Sequence, residues 1–321
     1  MPLRDDQTAW FADAFTKMVE NVGQAVLGKE RVVRLALTCL VSEGHLLLED
    51  LPGTGKTMLA RSLAATVRGT HARIQFTPDL LPTDVTGVTV YDQAKGTFEF
   101  HPGPIFHDIV LADEINRASP KTQSSLLEVM EEGHVTVDGV THPVPRPFMV
   151  IATQNPVEQA GTYRLPEAQL DRFLMKISVG YPDAAATEAL LLDAGLRDRA
   201  TLVRPIATTE HVAKMVQMAS EVSLDAAIAR FVRQLAEASR EHPRVAMGLS
   251  ARGALALVRV AKTWAASQGR TTVVPEDVHQ LAQPVLCHRL VLEAQAQFDG
   301  VAVDDVVAEL LAAVPPPTRR G

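Results

Sequence analysis

The stretch "LLLEDLPGTGKTMLARSLA", Leu46 to Ala64, joins a short apolar run to a helix-like segment through a glycine-rich turn. Its end, Gly55-Lys56-Thr57, completes the spacing G-x-x-x-x-G-K-[ST] of a phosphate-binding loop, except that position 50, where the first glycine belongs, is Asp50. An apolar run before the loop and a helix after it are the context the pattern requires. Backbone N–H groups from Gly53 to Thr57 can wrap phosphates, and the helix N-terminus adds partial positive charge. Lys56 would place its ammonium on the β- and γ-phosphates of a nucleoside triphosphate, and Thr57 would offer its hydroxyl to Mg²⁺. Pro52, Gly53, Thr54, Gly55, Lys56, Thr57 and Met58 are therefore the candidate nucleotide-binding residues of this loop.

Asp50 raises an electrostatic question. A carboxylate about 6 Å from a phosphate, at an effective dielectric of ~20, would be repelled by roughly 3 kcal/mol per charge pair. The expectation is a carboxylate turned away from the phosphates and accepting backbone N–H bonds.

Working outward, short apolar runs recur as "HLLLED", "RIQF", "DIVLADE", "FMVIATQ" and "FLMKISVG" between about 45 and 180. Such runs suit strands buried on both faces of a parallel sheet. Helical segments, "TMLARSLAATV" and "PKTQSSLLEVMEEG", follow the first and third of them, which implies a doubly wound α/β domain. Two segments interrupt it. "GVTVYDQAKGTFEFHPG" sets Val88 and Val90 against Phe98 and Phe100 across a glycine-containing loop, and "HVTVDGVTHPV" carries Asp138-Gly139 between β-rich arms; both predict hairpins, near 86–103 and 134–147. Beyond Pro182 only helical periodicity remains, as in Ile228, Phe231, Val232 and Leu235, or Leu257, Val260, Ala261 and Trp264. The predicted organisation is an α/β domain over 1–182 and an all-helical domain over 183–321.

"DIVLADE" supplies a second half of the site. A buried strand delivers Asp113 and Glu114 at its C-terminal end, where α/β sheets bind ligands. Asp113 would hold Mg²⁺ and Glu114 would orient and polarise an attacking water.

The chain has 321 residues, 46% hydrophobic and 21% charged, with a net charge of −7, so no global field favours nucleic acid or an anionic membrane. Cys39 and Cys287 lie far apart in apolar neighbourhoods and read as reduced thiols. The opening "MPLRDDQTAW" lacks a signal-peptide pattern, and no apolar run approaches the ~20 residues of a membrane span. A cytoplasmic protein is the expectation. The ten histidines show no two-histidine metal spacing, and Met58, Met130 and Met149 sit in apolar contexts.

Across "VLGKERVV", "QFTPDLLPTDVTG", "FEFHPGPIF", "LADEINRASPKTQSSLLEVMEE", "ATQNPVEQAGTYRLPEAQLDRF" and "LSARGALALVRVAK" the chain resembles the MoxR group of AAA+ ATPases. The resemblance spans nearly the whole chain, and "LADEINRA" followed by "ATQNPVEQ" is its most specific part. It implies an AAA+ P-loop fold with a five-stranded parallel sheet, two hairpin inserts and a C-terminal helical lid. It also implies that Asn155 is sensor 1, Arg172 in "LDRF" an arginine finger reaching a neighbouring subunit, and Arg252 in "SARGA" sensor 2. Ser250 is the expected N-cap of the helix carrying Arg252, and Val26, Leu27 and Gly28 match the segment that lines adenine. Arg164 and Arg117 are neighbouring arginines read as structural or interface residues, with Arg164 the alternative finger. The chain departs from the group at Asp50, at Ala251 where proline is frequent, and at Arg164 where many relatives carry proline.

The function implied is ATP hydrolysis with Mg²⁺ in a homo-oligomeric ring, expected to be a hexamer, that remodels or matures a protein client, with a von Willebrand factor A domain protein as one expected partner. Two alternatives belong to other classes. A nucleic-acid motor like MCM would call for basic hairpins, yet the first has one lysine against two acids and the second has no Lys or Arg. A magnesium-chelatase-type subunit inserting metal into a cofactor would share the same ATPase machinery.

Overall fold

The computed structural model describes residues 3–51, 53–155, 162–193 and 198–317. In chain order its main elements are α1 (Asp5–Gly23), α2 (Glu30–Val41), β1 (Leu46–Glu49), α3 (Lys56–Thr66), β2 (His71–Gln75), α4 (Pro82–Thr86), β3 (Gly87–Asp92), β4 (Thr97–Pro102) and β5 (Ile109–Asp113). There follow α5 (Pro120–Glu132), β6 (His134–Val137), β7 (Val140–Pro143), β8 (Met149–Gln154), α6 (Glu167–Leu170), β9 (Met175–Ile177), α7 (Ala184–Leu192), α8 (Thr209–Ser220), α9 (Ala226–Glu241), α10 (Ala251–Ser267) and α11 (Pro275–Leu286).

The five apolar runs form one sheet, in the order β2-β5-β8-β1-β9. The β1–β8, β5–β8 and β2–β5 pairs are parallel. β5 is buried at every position, as are Leu46 to Leu48 and Met149 to Thr153, because helices cover both faces of such a sheet. Each strand's apolar side chains thus fix its place, and their C-terminal ends converge on one edge where Asp50, Asp113 and Asn155 emerge.

The two interruptions are hairpins. In the second, Asp138 and Gly139 both adopt positive φ, 50° and 78°, the geometry of a two-residue turn whose twist matches its strands. In the first, β3 and β4 pair Val88 with His101, Val90 with Glu99 and Tyr91 with Phe98. Since directly opposed residues share a face, Val88 and Val90 lie on one face of the ribbon and Phe98 and Phe100 on the other. The loop between Asp92 and Thr97 sets that register, and the apolar alternation alone does not. The hairpins meet where the Phe100 ring stacks on the His142 imidazole, centroids 4.0 Å apart and planes 19° from parallel.

The helices start and stop where their sequences dictate. Ser119 caps α5 by accepting the Thr122 N–H, Pro120 occupies its first position, and Gly133 ends it at φ 67°. Ser250 caps α10 through the Gly253 N–H at 3.0 Å, and Pro275 opens α11. Both cysteines are free thiols. Among the described residues no helix is long and apolar enough to cross a membrane.

Two compact units are assembled from non-contiguous segments: Lys17–Leu165 with Ile177–Ala213, and Met1–Thr16 with Pro166–Lys176 and Lys214–Gly321.

Candidate functional site

Within the first unit, one cavity of about 470 Å³ is lined by Gly53, Thr54, Gly55, Lys56, Thr57 and Met58 on one side, with Asp113, Glu114, Thr153 and Asn155 on the other. β1 ends at Glu49, the chain turns over a glycine-rich loop, and α3 starts at Lys56 with Gly55 as its N-cap in the left-handed region, φ 90°. A side chain at that φ would be strained, so glycine is what lets the first turn of α3 present its unbonded N–H groups. The Lys56 ammonium lies beside the carbonyls of Asp50 and Leu51, at 3.2 and 3.1 Å. Those neutral carbonyl oxygens hold it in place and leave it a full positive charge to offer a ligand. Pro52 lies outside the described residues. Met58 is half-buried on the cavity wall, whereas Met130 and Met149 are buried in the core.

Asp50 turns away from the loop, as the repulsion argument requires. Its carboxylate is buried, 5% exposed, and accepts bonds from the Val179 N–H (2.6 Å), the Gly180 N–H (2.9 Å) and the Ser178 hydroxyl (2.8 Å). The residue in the glycine position therefore ties the end of β1 to the segment after β9. Lys29 reinforces this through a bond from its ammonium to the Tyr181 carbonyl.

The opposite wall is a hydrogen-bonded network. Thr153 on β8, 1% exposed, donates its hydroxyl to Asp113 Oδ1 at 2.6 Å and accepts the Glu114 N–H at 2.8 Å. Glu114 itself sits at φ 57° and ψ 50°, a conformation that costs a non-glycine residue of order 1–3 kcal/mol and persists only where neighbours enforce it. Thr153 is that neighbour. From β2, Arg73 donates to Asp113 Oδ2 at 2.6 Å and to Gln75 Oε1 at 2.8 Å. The Gln75 amide donates to Glu114 Oε2 at 3.0 Å, and Arg117 donates to the same oxygen at 3.1 Å. Glu114 is thus held by two donors, and Asp113 by a cation and a hydroxyl.

Oxygen donors of Thr57 and Asp113 line the same cavity, and hard oxygen ligands with room for waters suit Mg²⁺. The residues fit that ion on donor chemistry.

The remaining sequence-predicted residues fall elsewhere. Val26, Leu27 and Gly28 form the turn between α1 and α2 and are not among the residues lining that cavity. Gly28 adopts φ 67°, and a Cβ there would meet Ala186 Cβ at 3.0 Å and Asp183 Oδ2 at 3.1 Å, so the turn packs closely on α7. Arg172 and Arg252 belong to the second unit, where they line a cavity of about 230 Å³ together with Asp171, Arg259 and Arg289. Arg164 is exposed.

Sequence reasoning missed Arg73, Gln75 and Thr153. The signal for the first two was available: in "HARIQ" they stand two apart, so they share one face of a strand that ends beside Asp113. Thr153 stands two before Asn155, a polar residue in an otherwise buried strand.

The profile of the ATPase family associated with various cellular activities (AAA) matches residues 45–175, and that of the AAA lid domain matches residues 237–310. The uncharacterized protein YeaC of Bacillus subtilis is 46% identical over 305 residues, covering 95% of each chain. Chaperone MoxR1 of Mycobacterium tuberculosis is 39% identical, covering 93% of this chain and 81% of that protein. A crystal structure from Cytophaga hutchinsonii, of a protein described as a candidate ATPase, superposes with a TM-score of 0.91 at 35% identity, covering 98% of each chain.

Proposed function

The chain belongs to the MoxR family of AAA+ ATPases, and on that premise we propose that it hydrolyses ATP to ADP and phosphate at the cavity between α3 and β5. The observation that carries this reading is the convergence of Gly53–Met58, Asp113, Glu114 and Asn155, from three separate segments, on one cavity.

In this reading the loop N–H groups and Lys56 bind the phosphates. Thr57 and Asp113 would hold Mg²⁺, which would neutralise charge on the phosphate oxygens. Glu114 positions the attacking water and accepts its proton at Oε1, the carboxylate oxygen other than the Oε2 that Gln75 and Arg117 hold. Asn155, the residue that follows β8, orients the same water. Phosphoryl transfer needs little covalent help from the protein, so such positioning carries most of the rate.

Arg172 is read as a finger acting on a neighbouring subunit's nucleotide, which calls for a closed ring of head-to-tail contacts. A hexamer is the expected size. The hairpins supply an apolar client-facing surface: Phe98 is 74% exposed and Tyr91 51%. The client is a protein, with a von Willebrand factor A domain partner as one candidate. MoxR1 carries the description chaperone, which supports that reading.

The test is a pair of variants and a mixture. Lys56→Ala should lose binding of a fluorescent ATP analogue. Glu114→Gln should bind it but turn over ATP about 10²-fold more slowly, as expected of a lost general base. Mixing Lys56→Ala with Arg172→Ala subunits should restore activity, because some interfaces then hold two intact halves. Retained affinity in the first variant or near-normal turnover in the second would overturn the site, and absence of rescue in verified mixed rings would overturn the finger.

A further inference from the structure

Arg289 is almost completely buried, with 3% of its side chain exposed, yet it contributes nothing to the nucleotide cavity described above. A guanidinium has five N–H donors and no acceptor, so burial demands a matching set of oxygens. Here most of them come from one short segment. Nε donates to Asp171 Oδ1 at 2.6 Å, Nη2 to the Phe173 carbonyl at 2.7 Å and the Asp171 carbonyl at 3.4 Å, and Nη1 to the Leu174 carbonyl at 3.2 Å. A further bond to the Val285 carbonyl anchors the group on α11. The neighbouring His288 places Nε2 2.9 Å from the Phe173 carbonyl. The backbone on both sides of Arg172 is thereby fixed to the end of α11.

The same carboxylate reaches the other predicted arginine. Asp171 Oδ2 accepts the Ser250 hydroxyl at 3.3 Å, and Ser250 is the N-cap of α10, two residues before Arg252. The Arg289 stem also packs on Gly253 in the first turn of α10: a Cβ there would lie 2.8 Å from Arg289 Cδ and 2.5 Å from Leu249 Cδ1. Three elements, the 171–174 segment, the start of α10 and the end of α11, thus meet at one buried side chain. Arg172 and Arg252 line one cavity beside it.

We propose that Arg289 is a positioning residue that locks Arg172 and Arg252 into one frame, so that the two guanidiniums reach a triphosphate at a fixed mutual spacing. The inference rests on reading Arg172 as acting on nucleotide. It explains why a segment next to β9 in sequence clusters with the helical unit. It also explains why the tie is an arginine: a lysine would keep the charge but lose the fork that binds Asp171, Phe173 and Leu174 together.

The experiment uses full-length protein and three changes, Asp171→Asn, Arg289→Lys and Gly253→Ala. The last displaces the Arg289 stem without removing a polar group. Each is made in the wild-type and in the Arg172→Ala/Arg252→Ala background, with Arg172→Ala alone as a control and kcat, KM for ATP and thermal unfolding measured for all. The expected result is a kcat loss of roughly 10-fold or more, the order that misplacing a reacting group produces. KM for ATP should be unchanged, and no further loss should appear once both Arg172 and Arg252 are already absent. Equal fold-losses in both backgrounds would make Arg289 a structural residue and overturn the proposal, as would wild-type kcat in folded variants or failure of all three to fold. If Arg172→Ala alone keeps wild-type turnover, the finger reading fails first, an outcome distinct from the other three.

Discussion

Replacing Asp50 by glycine would complete the phosphate-loop spacing, and a reading of sequence alone would regard it as a repair. The hydrogen bonds of Asp50 lead to the opposite expectation. Glycine removes the acceptors for the Val179 N–H and the Gly180 N–H; Val179 is 3% exposed and has no easy route to water. The Ser178 hydroxyl is exposed and can turn to solvent. Two under-satisfied backbone donors at about 1–3 kcal/mol each, less the desolvation that a buried carboxylate no longer incurs, give a net loss of ~3 kcal/mol. With a urea m-value of about 3 kcal/mol/M, since m rises with chain size, the unfolding midpoint would fall by roughly 1 M. Asp50→Asn keeps the shape and one acceptor but turns an NH₂ towards a backbone N–H, and should fall between the two. The assay is equilibrium urea unfolding followed by circular dichroism. A midpoint for Asp50→Gly at or above that of the wild type would refute the claim that the carboxylate braces the segment after β9.

Thr153→Val removes the hydroxyl that joins Asp113 to the Glu114 N–H while keeping the volume, and should lower kcat by about 10-fold or more through misplacement of Glu114, whereas Thr153→Ser should keep most of the activity; steady-state ATPase assays distinguish the two. Burial first, and then the Arg289 guanidinium, push the His288 imidazole well below the usual histidine range, so it stays neutral in the folded protein. The unfolded chain therefore binds the extra proton as pH falls below ~6.5, and this contribution to stability is complete above that pH and declines beneath it by up to about 1.4 kcal/mol per pH unit. Urea midpoints at pH 7.5 and 5.5 check this, and a flat profile would contradict it.

The strands were legible because burial on both faces forces continuous apolar runs, and Asp138-Gly139 was legible because only one turn geometry suits that pair between short arms. The cap Ser250 was legible for the same local reason. What escaped was set by distant partners. Arg73 and Gln75 look like surface residues of an alternating strand until β2 is placed beside β5, a pairing that links positions some forty residues apart. Nothing local in "LDRF" reports that Asp171 is bound by Arg289, 118 positions downstream. The face shared by Val88 and Val90 depended on a loop whose length, not its apolarity, sets the register.

The stack between Phe100 and His142 bears on how the two hairpins are inherited as well as how they move. Each is an insertion in the chain, separated from the other by β5 and α5, yet each contributes one ring to a shared contact. The Phe106 ring, which belongs to neither hairpin, packs edge-on against both, 5.6 Å from Phe100 and 6.5 Å from His142, so the two arms share one aromatic anchor on the α/β body. A graft that transplanted only one hairpin would part Phe100 from His142, and the smallest portable piece is the two hairpins together with Phe106.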